Sequence, residues 1–151
     1  MKKMSSGQTI IEIIIATGIV AIVLVAVMMG LTFSLKNTAQ SKYQSLASKL
    51  AQEGMEAFRR ERDALGFVSF RDQLTSPTYC LPTIPNQLAL FSAGACDEAE
   101  GITLSGVTFY REAEINTGAS VTEPVEVKIV VSWLDGTQEH QTFATQQFTD
   151  W

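Results

Sequence analysis

Gln8-Thr9-Ile10-Ile11-Glu12-Ile13-Ile14-Ile15-Ala16-Thr17-Gly18, continuing without another charge to Leu35, is the stretch on which the fold turns. From Ile13 to Leu35 there are 23 consecutive uncharged positions, most of them Ile, Val, Ala, Leu and Met. A helix of that length crosses a hydrocarbon core of ~30 Å. It is apolar all round rather than striped, so it needs lipid or other helices as its surroundings. Before it stands Met1-Lys2-Lys3-Met4-Ser5-Ser6-Gly7. Two lysines ahead of an apolar run place the N-terminus in the cytoplasm and the rest of the chain outside the inner membrane. An ordinary secretory signal has an apolar region of about 7–15 residues and then a small-residue cleavage site. Here the run is longer and no convincing site follows it. The small residue, Gly7, comes first.

The remaining composition narrows the chemistry. The 151 residues carry 11 Lys plus Arg against 16 Asp plus Glu, a net charge of -5. That argues against bulk electrostatic binding to nucleic acid or anionic head groups. Acidity does not exclude DNA as a partner, because a local patch on Lys128 and Arg111 would be enough. A single His and two Cys leave no His-rich or two-His metal motif. No nucleophile elbow, phosphate-binding Gly loop or zinc spacing is present. Glu112 and Glu114 alternate with apolar residues and read as a solvated strand face. No enzyme activity, cofactor or metal is expected.

Glu12 is the odd residue of the apolar run. A carboxylate inside a bilayer costs a few kcal/mol at mid-depth and less near an end. Either it stays wet at the interface or it has a cationic partner. No Lys or Arg lies between Lys3 and Lys36. A cut after Gly7 would create a partner, the free amine of Gln8. That amine stands four residues before Glu12 and on the same helical face, and a neighbouring subunit could supply it equally well.

In these residues the chain resembles the type IV pilin family, pseudopilins included: a short basic leader ending in Gly7, then Glu12 at the fifth mature position, inside a long apolar helix. The resemblance implies cleavage between Gly7 and Gln8 by a prepilin peptidase, methylation of Gln8 by the same enzyme, and Glu12 as the assembly residue. It implies other pilin subunits and the inner-membrane pilus assembly machinery as partners. It also implies a destination in a surface or periplasmic filament. Two departures stand out. Gln8 occupies a position where most members have Phe, and no Pro precedes Pro77, so Gly18 and Gly30 are the helix's weak points.

Beyond Leu35 the helical pattern goes on. Tyr43, Leu46, Ala47, Leu50, Ala51, Gly54, Phe58 and Leu65 recur at three- and four-residue steps, with charges between them. One helix from about Gln8 to Ala64 is expected, its second half (36–65) amphipathic and packed on a head, with Gly66 as its stop. Residues 66–100 read as irregular, with Phe67-Val68-Ser69-Phe70 as a short strand. Cys80 and Cys96 lie in this region. Outside the cytoplasm they are expected to bridge, worth roughly 3 kcal/mol on the chain-entropy model; two buried free thiols are the alternative.

From Gly101 the period becomes two. Val107, Phe109, Arg111, Ala113 and Ile115 share one face, as do Val125, Val127, Ile129, Val131 and Trp133. Asp135-Gly136 marks a hairpin, and the return strand runs from about Gln138 to Gln146. The result is an antiparallel meander of three or four strands packed on the amphipathic helix, an α+β head. The run from Val127 to Trp151, with its Trp strand, tight turn and closing strand, is similar to the end of some minor pilins. Trp133 and Trp151 read as core and edge packing. The domain reading is therefore a leader (1–7), a transmembrane or filament-core helix (8–35), an amphipathic helix (36–65) and a globular head (66–151). A minor pilin is the leading expectation. A type II secretion pseudopilin and an uncleaved single-pass extracytoplasmic binding protein are the alternatives.

Overall fold

A computed structural model of the protein describes residues 6–84, 91–120 and 122–150. Residues 1–5 of the expected leader, and Trp151, lie outside the described residues. The chain divides into two compact units, Met1–Lys42 and Tyr43–Trp151. One helix, α1 (Ser6–Leu65), contributes to both. Gly66, at φ +75°, ends it, and its N–H still bonds to the Arg62 carbonyl. Only a residue without a Cβ takes that conformation cheaply.

Helix α2 (Phe67–Gln73) follows where the sequence suggests a strand. The correction has a simple cause. Phe67 and Phe70 are both buried, while Val68 between them is 63% exposed. The apolar spacing that matters is three, not two. Residues 74–84 and 91–100 are less irregular than expected. They supply β1 (Thr78–Cys80) and β2 (Ser92–Ala93), which extend the sheet. Strands of three and two residues are too short to show a period.

The rest of the head is β3 (Ile102–Leu104), β4 (Val107–Asn116), β5 (Val125–Asp135) and β6 (Gln138–Phe148). All pairings are antiparallel, in the order β2-β1-β4-β5-β6, with β3 also on β4. Among the described residues the sheet has six strands rather than three or four. Both tight hairpins are set by positive φ. Ser105 and Gly106 (φ 54° and 81°) join β3 to β4, the pattern of a type I′ turn. Between β5 and β6 the turn residues are Gly136 and Thr137, with Asp135 paired to Gln138. Only the first has positive φ, as in a type II′ turn. The Asp135-Gly136 signal thus sits one residue early.

Alternation along β4 and β5 sends one face inward. Phe109, Ala113, Val125, Val127 and Ile129 are fully buried there, and Val131 and Trp133 join them. On α1, Ala47, Leu50, Ala51, Met55, Ala57 and Phe58 form the facing stripe of the same core. Phe58 packs edge-on against Phe70 and Phe91. Trp133 is buried, stacked on His140 and tilted against Phe109, so the core reading holds for it. Gly54 lets the helix backbone come close. A Cβ there would lie 3.1 Å from Ile129 Cγ2 and 3.4 Å from Arg111 Cδ.

Two predictions follow from this packing. A fragment from Thr38 to Trp151 should be soluble, folded and monomeric by light scattering, because its apolar stripe is already covered by the sheet; aggregation would contradict that packing. Within it, Gly54→Leu should cost about 2–3 kcal/mol of stability in urea titration, since an overpacked helix–sheet contact cannot relax on either side. An unchanged unfolding midpoint would show that the close approach is not a constraint.

Candidate functional site

Two features carry the candidate chemistry, one in each unit. The first is the N-terminal half of α1. Gly7 and Gln8 lie in its first turn, with the side chain of Gln8 outside the described residues. From Ile10 onward every large apolar side chain through Leu35 is exposed. Ile10 is 61% exposed, Ile22 72% and Leu35 72%. None of this surface is covered by the chain itself. The segment is long and apolar enough to cross a membrane.

Both threonines between Ile10 and Leu35 are satisfied without water. Thr17 Oγ1 donates to the Ile13 and Ile14 carbonyls at 2.9 and 3.0 Å, and Thr32 Oγ1 to Met28 at 2.9 Å. Hydroxyls folded back on the helix are what an apolar medium requires. Glu12 differs. It is exposed among Ile10, Ile11, Ile13 and Ile14, and no hydrogen bond or ion pair reaches it among the described residues. A carboxylate cannot bond back to its own helix, because it only accepts and the carbonyls above it do too. Its partner must come from outside this helix surface. Helix α1 continues through Gly18 and Gly30, and a Cβ at either would meet nothing.

The second feature is the Arg111 node of the head. Arg111 is 3% exposed, on the inward face of β4 that sequence periodicity assigns it. Its Nε donates to the Leu81 carbonyl at 2.9 Å and one terminal nitrogen to the Leu50 carbonyl at 3.2 Å. The same nitrogen lies 3.6 Å from Glu53 Oε2. Burial pushes the guanidinium below its ordinary pKa, and Glu53 pulls it back up. It stays charged at neutral pH. Next to it, Cys80 and Cys96 are bridged, with Cα atoms 4.8 Å apart. The bridge meets the expectation and leaves no free cysteine as nucleophile. It also occupies the sulfurs that, with Glu100, would otherwise resemble a metal cluster.

The structure corrects two surface readings. Arg111 and Lys128 do not form a basic patch. Arg111 is buried toward the helix, while Lys128 is on the outer face, paired with Glu114 at 2.9 Å and 5.5 Å from the Phe143 ring. Glu114 is solvated as expected, but Glu112 is half-buried and accepts the Cys96 N–H at 2.8 Å, tying the bridge to β4. The Arg111 node itself escapes sequence reasoning. An Arg among Phe109, Ala113 and Ile115 on one strand face was its only signal, and the carbonyls it serves are 30 and 61 residues away.

No protein-family model matches the chain, and neither the curated proteins nor the solved structures include a significant match.

The node yields a prediction. Arg111→Ala should destabilise the head by about 2–4 kcal/mol, through a cavity and two carbonyls left without their donor, while Arg111→Lys should recover only part of this. Urea titration of the Thr38–Trp151 fragment measures both, and a loss below 1 kcal/mol for Ala would show that the node is dispensable.

Proposed function

We propose that the chain is a structural subunit, minor pilin-like, of a type IV pilus or related filament. Residues 1–7 are removed by prepilin peptidase, Gln8 becomes the methylated N-terminus, and the subunit waits in the inner membrane as a single-pass protein with its head outside the cytoplasm. It is then assembled through its N-terminal helix with other pilin subunits. The observation that carries this reading is a wholly uncovered apolar helix bearing one carboxylate, Glu12, four residues beyond the position where cleavage would free an amine.

In a low-dielectric bundle a lone carboxylate and a lone ammonium are both costly. Pairing them across subunits lowers both costs. Apolar packing alone sets little axial register, because lipid tails are as apolar as the helix. A charge pair sets it. The pair exists only after cleavage, which orders processing before assembly. The chain's own role is mechanical; the covalent chemistry belongs to the peptidase.

Intact mass tests the processing step. Cells with prepilin peptidase should yield a chain lacking residues 1–7, with or without one methyl group, and cells without it the full chain. Equal masses would overturn the pilin reading and favour an uncleaved membrane-anchored binding protein. Assembly is tested at Glu12. Glu12→Ala should be cleaved normally yet enter sheared filaments roughly tenfold less, the equivalent of about 1.4 kcal/mol, while Glu12→Asp retains part of the incorporation. Wild-type incorporation of the Ala variant would show that the pair does not drive assembly.

A further inference from the structure

The unit Tyr43–Trp151 is strongly acidic, with seven Lys and Arg against fifteen Asp and Glu. Its cations are not spread evenly. Four of the seven, Lys49, Arg59, Arg60 and Arg111, line one cleft of about 870 Å³, where the acids are Glu53 and Glu56. Ile84 supplies an apolar wall. A cleft lined mainly by one sign of charge focuses the field and attracts the opposite sign.

Internal pairing leaves two of these cations over. Arg111, buried, is committed to the Leu50 and Leu81 carbonyls and faces Glu53. Arg59 is held by Glu56 and by the Gln146 side chain. Lys49 and Arg60 are exposed and have no ion-pair or hydrogen-bond partner among the described residues. They stand eleven residues apart on α1, about 16 Å at the standard rise. One phosphate or one carboxylate cannot reach both. Between them Glu53 and Glu56 keep 46% and 54% of their side chains in solvent. A carboxylate only accepts hydrogen bonds, so what lies against the middle of the cleft has to donate. The complement is therefore anionic at two separated points and rich in N–H groups between them. A nucleic-acid strand fits poorly, because it carries a phosphate at every nucleotide and would set charge against Glu53 and Glu56. An extended peptide fits. Its backbone N–H groups are free, and acidic side chains four residues apart point to the same side about 13 Å from each other. The flexible stems of Lys49 and Arg60 close the remaining few ångströms.

We propose that this cleft binds an extended acidic peptide segment of another protein, with one Asp or Glu at Lys49, a second four residues along at Arg60, and uncharged residues between them beside Ile84. Specificity comes from both signs. The two unpaired cations select the spacing of the acids, while Glu53, Glu56 and the acidic remainder of the head reject segments that are uniformly negative. The inference uses the head alone and does not rest on the filament reading.

Fluorescence anisotropy on the full chain in a non-ionic detergent tests it. The probe is the capped peptide Asp-Thr-Val-Thr-Asp carrying a neutral fluorophore. Its control, Thr-Asp-Asp-Val-Thr, has the same composition and charge with the acids adjacent. The spaced peptide should bind saturably and about threefold tighter than the control, the scale of one exposed ion pair. Lys49→Gln/Arg60→Gln should weaken the spaced peptide about five- to tenfold and abolish the preference. Lys42→Gln/Lys128→Gln removes the same charge outside the cleft and should change neither. Retention of the Cys80–Cys96 bridge and an unchanged circular dichroism spectrum report that each variant has folded. Equal binding of the two peptides, or equal weakening by the two double variants, reduces the effect to general electrostatics and overturns the site. No saturation by the spaced peptide up to about 1 mM overturns it as well. Tighter binding of a five-nucleotide thymidine oligomer than of the spaced peptide would assign the cleft to nucleic acid and overturn the peptide proposal.

Discussion

The guanidinium of Arg111 is the one charged side chain buried in the head among the described residues, and three distant pieces of chain meet on it. It reaches the Leu50 carbonyl on α1 and the Leu81 carbonyl just after the disulfide, while its own strand is the centre of the sheet. The Leu81 N–H returns a bond to the Arg111 carbonyl at 2.9 Å, so strand and loop are clasped from both sides. Burying a cation is costly unless its donors are used. The cost is met here by carbonyls and by Glu53 at the rim. Such a group tolerates little displacement of the elements that serve it. Gly54, which has no side chain to intrude between helix and sheet, is the other half of the same constraint.

This local rigidity matters for how α1 is used. The helix has two surfaces of opposite character in sequence order. Its N-terminal part exposes apolar side chains on every side, and its C-terminal part buries one stripe and leaves another wet. The head therefore holds the helix by residues 47–58. An apolar surface without cover in its own chain has to be covered by something else. Under the filament proposal, lipid before assembly and parallel helices after it would be two media of similar polarity, so transfer between them would cost little and sparse polar contacts would decide position. Glu12 is the charged group within that apolar surface among the described residues.

The bridge and its surroundings show how loop regions without a period are fixed. Cys80 sits on β1 and Cys96 beyond β2, and the Glu112 side chain holds the Cys96 amide. Ser76 Oγ both donates to the Thr78 carbonyl and accepts the Thr78 amide, and the Tyr79 hydroxyl accepts the Ser76 amide at 3.0 Å. These contacts give the three-residue β1 a defined register on β4, and the two-residue β2 pairs in turn with β1.

Much of this was legible in the order of residues. The uncharged run from Ile13, the stripe from Tyr43 to Leu65 and the inward faces of β4 and β5 depend only on periodicity, and local spacing carries that information. The Cys80–Cys96 pairing followed from there being only two cysteines on one loop. What needed the tertiary structure was anything set by distant partners. Residues 67–73 became helical because both aromatic rings had a core to enter, which four residues of sequence could not reveal. The turn at Gly136-Thr137 was placed by the register of β5 on β6. Strand β1 exists only as an addition to β4, and β2 as an addition to β1. An arginine that reads as one polar interruption of an apolar strand face proved to join helix, loop and sheet, because the carbonyls that satisfy it are brought together only by folding.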